Sequence, residues 1–242
     1  MWRVISSLNL GARKMIILTP AESEALLLSL RVSLVAVLAA LPFAFLVGLG
    51  LARTRFVGRP ILDGFVHLPL VLPPVAVGFL LLVAFGTRSP AGAFLYETFG
   101  IRFVFSWTGA ALASGLITFP LQVRAIRLAL EQSGSALSIA AQTLGAGAID
   151  RLVNITLPLA LPGIIAGGIT AFAASLGEFG AIITFVSNIP GETRTLPLAI
   201  YSALQSPGGD AEAARLCTIS VLLALLFLVL GEVATRWTRD RS

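Results

Sequence analysis

The 242-residue chain is 57% hydrophobic and only 12% charged, with a mean hydropathy of +0.94. Soluble domains carry roughly 25% charged residues, so this composition excludes an ordinary soluble fold and predicts a membrane protein. A net charge of +5 would suit nucleic acid if the arginines formed one patch, but they fringe apolar runs, so membrane lipid is expected and nucleic acid is not.

A hydrocarbon core about 30 Å thick is crossed by about 20 apolar helical residues, and lipid cannot satisfy bare backbone groups, so helices are the expected spanning elements. Residues 1–25 read as an extension on the outer side. Arg3, Arg13 and Lys14 flank only MIILTP, too brief to cross, and no A-x-A site follows an apolar stretch long enough for a cleaved signal peptide. Met15 offers a second start. The uncharged runs Val32 to Ala52, Gly64 to Thr87 and Phe103 to Val123 predict spans over about 28–52, 62–86 and 104–127. A fourth run, from Leu152 past the single Glu178 to Phe185, predicts a span over 162–186. The fifth, Leu216 to Gly231, is lengthened by Arg215 and Glu232 snorkelling at its ends, giving 213–235. The expected fold is an all-α polytopic bundle of five transmembrane helices, six at most, over residues 26–237, with a tail over 238–242.

Orientation follows from the arginines. Arg53, Arg55 and Arg59, then Arg124, Arg127 and Arg151, then Arg236, Arg239 and Arg241 fall on one side. Arg88, Arg102 and Arg194 fall on the other, diluted by Glu97 and Glu192. The first side, with the C-terminus, is therefore expected in the cytoplasm; Arg13 and Lys14 oppose this unless translation starts at Met15. Cys217 has no partner for an intrachain disulfide.

Intramembrane catalysis would need a nucleophile with a base, or a metal cluster. The single histidine, His67, has no HExxH or paired carboxylates around it, and the single lysine, Lys14, sits in GARKM, so GxxxxGK[ST] is absent. No cofactor is expected in this chain; ATP-driven work would need another polypeptide. Proline and glycine concentrate in LPLVLPPVAVG (68–78), ITFPLQ (117–122) and PGIIAGG (162–168), which suits either close helix packing or a pore-lining core. Glu178, within SLGEFG, would cost roughly 2.5–3.5 kcal/mol in lipid, so it should face protein or water, as a pathway or gate residue or paired with Arg124 or Arg127. Thr170, Ser175, Thr184 and Ser187 supply hydroxyls for weak, replaceable contacts with an anion. SNIPGETRTLP (187–197) forms an outer turn at Pro190-Gly191, carrying Asn188, Glu192 and Arg194.

One polar interruption, within 132–158, is unusually long: SALSIAAQTLGAGAIDRLVNITLPLALPG begins at Ser135. Ser135 or Ser138 can cap a short helix, SIAAQTL, that Gly145 and Gly147 can terminate. Ala140, Ala141 and Leu144 then share one face, either laid into another protein's groove or packed back on the bundle.

Within that stretch, AAQTLGAGAIDRLVNITLP resembles the EAA loop of the permease subunits of ABC importers, with Ile139 at the position of the family's glutamate. HLPLVLPPVAVGFLLL, FPLQVRAIRLALE, SLGEFGAIITFVSNIPGETRTLP and PGGDAEAARL resemble the molybdate permeases over roughly residues 15–238; sulfate permeases are similar around GEFG and NIP. The resemblance implies a type I importer permease, paired with a second copy of itself and catalysing no covalent chemistry. Two copies of a cytoplasmic P-loop ATPase would bind ATP-Mg and seat on Ala140, Ala141, Leu144 and Gly145. A periplasmic molybdate-binding protein would dock at Asn188, Pro190, Gly191, Glu192 and Arg194. Ser175, Gly177, Glu178, Gly180 and Thr184 would form the pathway or gate, working by alternating access. Sulfate, tungstate and thiosulfate are the alternative substrates. An ion-coupled secondary transporter is the rival class; it would lack a groove-binding helix and would commonly show duplicated halves, which this sequence does not.

Overall fold

The computed structural model describes residues 18–53, 57–132 and 135–239, and these form helices and connections without strands. Most of the expected N-terminal extension, with Arg3, Arg13, Lys14 and Met15, lies outside the described residues, as do Arg55, Arg241 and the end of the tail.

Helix α1 (Pro20–Arg53) starts well ahead of the expected residue 28. The reason is a capping box in TPAE: the Glu22 carboxylate accepts from the Thr19 amide (2.7 Å), the Thr19 hydroxyl accepts from the Glu22 amide (3.3 Å), and Pro20 occupies the first helical position. The second expected span is not straight. Helix α2 (Arg59–Val71) and helix α3 (Pro74–Phe85) meet at 109°. Pro73 and Pro74 donate no backbone hydrogen bond, and each forces the residue before it out of the helical region, so Leu72 (ψ 143°) and Pro73 (ψ 132°) are extended. Helix α4 (Pro90–Phe99) begins where Ser89 accepts from the Gly92 amide and ends at left-handed Gly100 (φ +66°).

Helix α5 (Trp107–Gln132) is the spine, packed on α1 and on α8 (Leu157–Leu176). The α5–α8 approach needs glycine: a Cβ at Gly163 would lie 2.6 Å from the Ala129 methyl, and one at Gly167 2.4 Å from the Ala125 methyl. Helix–helix association in lipid gains little from hydrophobic burial and depends on such close contact. A short helix α6 (Ser135–Thr143), helix α7 (Ala148–Arg151) and a π turn (Leu152–Thr156) lead into α8. Pro158, which has no amide to donate, follows the wide turn that its missing bond permits.

The fourth expected span also divides, into α8 and α9 (Gly180–Val186), with Gly177–Phe179 between them. Helix α10 (Leu196–Gln205) was not foreseen. It packs against α1 and α11 (Asp210–Arg239), and its first amide donates to the buried Ser29 hydroxyl at 2.6 Å. Among the described residues four helices are long and apolar enough to cross a membrane, and five elements do so if the bent α2–α3 pair is one span, which is the count expected from sequence.

Candidate coupling surface and broken-helix site

Helix α6 and the residues after it form an apolar surface beside the bundle. Leu144 is 88% exposed, Ile149 78% and Ile139 61%; Ala140 is exposed and Ala141 half-buried. The face expected to bind either a groove or the bundle is thus left open. Its end is a Schellman motif: the Ala146 amide donates to the Ala141 carbonyl (2.9 Å), the Gly145 amide donates to the Gln142 carbonyl (3.0 Å), and Gly145 is left-handed at φ +89°. Gly147 does not terminate this helix; in extended conformation (φ −66°, ψ 165°), it starts α7. Arg151 fixes the two helices together, donating to the Gln142 side-chain carbonyl (2.6 Å) and the Ser138 backbone carbonyl (3.4 Å). Arg151 thus takes neutral acceptors, and the apolar Ile139 beside Ser138 stays exposed.

The two interrupted spans touch each other. A Cβ on Gly180 would lie 2.8 Å from Cβ of Pro74, and one on Gly78 2.6 Å from the Ala181 carbonyl oxygen. The bend of one span therefore packs on the break of the other, through contacts only glycine allows. Irregular backbone at membrane depth is tolerated where protein buries it or it lines a water-filled cavity, which sets this junction apart from the regular helices around it.

Glu178 lies in the break and is buried. Its carboxylate accepts from the Ala181 amide (2.8 Å) and so caps α9. Of the two roles left open for Glu178, the pairing with Arg124 or Arg127 does not form among the described residues. Arg127 donates to both Asp63 oxygens (3.1 Å each) and to Glu131 (2.9 Å), and Arg59 reaches Glu131 at 3.4 Å, tying α2 to α5. Nor is Glu178 within a helix: it lies between the end of α8 at Leu176 and the start of α9 at Gly180.

Among the other pathway candidates, Ser175 is buried and shares a 2.6 Å hydrogen bond with Ser114 of α5, so its hydroxyl is engaged inside the chain. Thr184 donates to the Gly180 carbonyl. Sequence reasoning missed the buried polar stripe Ser114, Thr118 and Gln122 on α5, although its i, i+4 spacing was legible. Interhelical hydrogen bonds in membranes average about 0.6 kcal/mol and reach about 1.7. Ser175→Ala is therefore expected to lower the thermal midpoint by a few degrees in detergent, and an unchanged midpoint would show the Ser114 contact to be energetically empty.

The outer turn is built as well as exposed. The Thr193 hydroxyl, fully buried, accepts from the Ile189 amide (2.9 Å) and donates to the Ser187 carbonyl (3.0 Å). Asn188 donates to Ser202 of α10 (2.7 Å) and accepts from Arg194 (2.9 Å). Gly191 is left-handed at φ +77°, facing Glu24, while Pro190 and Glu192 project outward. Thr193, the centre of the turn, was the residue that composition could not single out.

Interrupted spans in contact, an exposed apolar helix in one loop and an ordered turn at the far end of the bundle are the parts of a transporter's membrane subunit. The chain belongs to the family described as binding-protein-dependent transport system inner membrane component, which matches residues 40–239. It is accordingly an inner-membrane transport subunit and not an enzyme. It is 57% identical over 226 residues to the molybdenum transport system permease protein ModB of Escherichia coli K12, covering 93% of this chain and 99% of that one. Identity to ModB of Haemophilus influenzae is 54% over 211 residues, covering 87% and 92%. Identity to the sulfate transport system permease protein CysT of Salmonella typhimurium falls to 36% over 197 residues, covering 81% and 70%. Among solved structures, a chain of a bacterial alginate ABC transporter superposes with a TM-score of 0.72 at 20% identity, covering 98% of this chain and 89% of that one. The MetNI methionine ABC transporter gives 0.65 at 15%, covering 91% and 99%. The fold is shared with both.

Proposed function

We propose that this chain is the permease subunit of an ATP-driven importer that carries molybdate across the cytoplasmic membrane by alternating access. The observation that carries the substrate is the 57% identity to a molybdenum permease over nearly the full length of both chains, against 36% to a sulfate permease. Two copies pair in the membrane. Two cytoplasmic ATPases, which bind ATP-Mg, seat on Ala140, Ala141, Leu144 and Gly145, and a periplasmic molybdate-binding protein docks at the turn carrying Asn188, Pro190, Gly191, Glu192 and Arg194. The face bearing α6 and the C-terminus is then cytoplasmic, as its arginines favour.

Closure of the ATPase dimer draws the two α6 helices together. The motion reaches the junction of Pro74 with Gly180, where the α8–α9 break at Gly177 and Glu178 can hinge. A dianion held there by several buried arginines would leave slowly, because charge-assisted bonds in a low-dielectric site are strong; backbone amides and hydroxyls such as that of Thr184 hold it weakly enough to pass. Ser175, engaged with Ser114, supports the frame of that passage.

Deletion of the chain should make a molybdenum-dependent enzyme activity require high external molybdate, restored by the intact gene at trace levels. Full activity of the deletion strain at trace molybdate would refute the reading. Tungstate shares the charge and shape of molybdate, and sulfate or thiosulfate would suit a related permease, so competition of each anion against labelled molybdate uptake ranks them.

A further inference from the structure

An apolar groove of about 510 Å³ runs between α1 and α5, lined by Val35, Ala39 and Phe43 on one side and Thr108, Leu112 and Leu116 on the other. At its head stands Arg31, exposed, with its guanidinium 3.8 Å from the centre of the Trp107 ring. Among the described residues no carboxylate pairs with Arg31. The uncharged run Val32–Ala52 that follows it spans about 32 Å as a helix, the thickness of the hydrocarbon core, and Arg53 closes the other end. Arg31 therefore sits at the boundary where acyl chains give way to headgroups, and Trp107 has the position that tryptophan favours there. Arg102, exposed and next to the groove residue Phe103, adds a second cation on this side.

We propose that this groove binds an anionic phospholipid, with the phosphate on Arg31 and one acyl chain lying along Val35, Ala39 and Phe43. Each end of the site has the matching chemistry. The ring face of Trp107 holds the guanidinium at the mouth while leaving its N–H donors for phosphate oxygens, since a cation–π contact uses none of them. Below the mouth the lining is apolar; the one hydroxyl, that of Thr108, is already hydrogen-bonded to Ser106 at 2.8 Å. A chain of methylenes needs nothing more. This site lies apart from α6, Phe103 of its lining packs on Phe85 at the end of α3, and lipid binding there does not depend on which anion the transporter carries.

The test uses the full chain with Trp2 and Trp237 replaced by phenylalanine, leaving Trp107 as reporter, reconstituted in phosphatidylcholine vesicles. Bromine-labelled phosphatidylglycerol should quench Trp107 at about one-fifth of the mole fraction that bromine-labelled phosphatidylcholine requires, the ratio equivalent to about 1 kcal/mol for one basic residue facing anionic lipid. Arg31→Gln should remove that preference and Arg31→Lys should keep it. Ala39→Phe, at an exposed position that leaves the fold intact, should weaken quenching by both lipids. Equal quenching by the two lipids, or a preference that survives Arg31→Gln, would overturn the proposal. So would the absence of quenching by either, the result expected if a second copy of the chain fills the groove.

Discussion

Gly145→Asp is expected to abolish ATP-driven uptake while leaving the protein in the membrane. A Cβ at this position meets nothing within 4 Å, so the substitution causes no clash inside the chain. Two other costs apply. The left-handed backbone, φ +89°, costs a non-glycine residue roughly 1–2 kcal/mol, less for Asn and Asp. The new carboxylate then stands beside Leu144 just past the helix end, on a surface whose apolar side chains are open for a partner, and burying it unpaired at an interface costs about 2–5 kcal/mol. A cost of 2 kcal/mol already weakens association about thirty-fold. Gly145→Asn separates the two costs, because it tolerates the backbone and brings no charge; it should retain measurable uptake. Co-purification of the ATPase subunit with each variant, beside uptake in membrane vesicles, measures both. Normal uptake by the aspartate variant would show that this surface does not couple transport to ATP.

The second large effect lies at the opposite end of the bundle. Arg215 donates to a single Glu22 oxygen through two nitrogens, at 2.8 and 2.6 Å, and Glu22 is 1% exposed. Arg215→Met leaves that carboxylate buried without its cation, and breaking such a pair costs about 3–5 kcal/mol. The variant should unfold far below the wild type in detergent and accumulate poorly. Replacing both partners, Glu22→Leu with Arg215→Met, removes the uncompensated charge and should recover much of the loss. Recovery stays incomplete, because Glu22 also accepts from the Thr19 amide at the start of α1. A single variant as stable as the wild type would mean that water reaches the carboxylate and the pair contributes little.

Much of the architecture was legible in the chain. The apolar runs marked the crossing segments and the order of the loops, since a lipid core imposes a length on every crossing element. The α6 segment was legible because Gly145 punctuates a short helix of small and polar residues, SALSIAAQT, set between strongly apolar runs. The capping box at Thr19–Glu22 was also written in plain spacing, yet it was passed over in favour of the later apolar run, so α1 was expected to start too late. The breaks were misjudged for another reason: hydropathy is blind to direction, so the Pro73-Pro74 bend and the Gly177–Phe179 interruption both read as continuous spans.

By itself the sequence determined that this is a membrane helix bundle with one short, glycine-terminated helix in a polar loop, because hydropathy and backbone preference act locally. Only the tertiary structure decided which groups meet. It assigned Arg127 to Asp63 and Glu131, Glu178 to the cap of α9, Arg215 to Glu22, and Gly180 to Pro74. A partner is chosen by distance in space among several groups of suitable charge, and chain spacing carries no record of that distance.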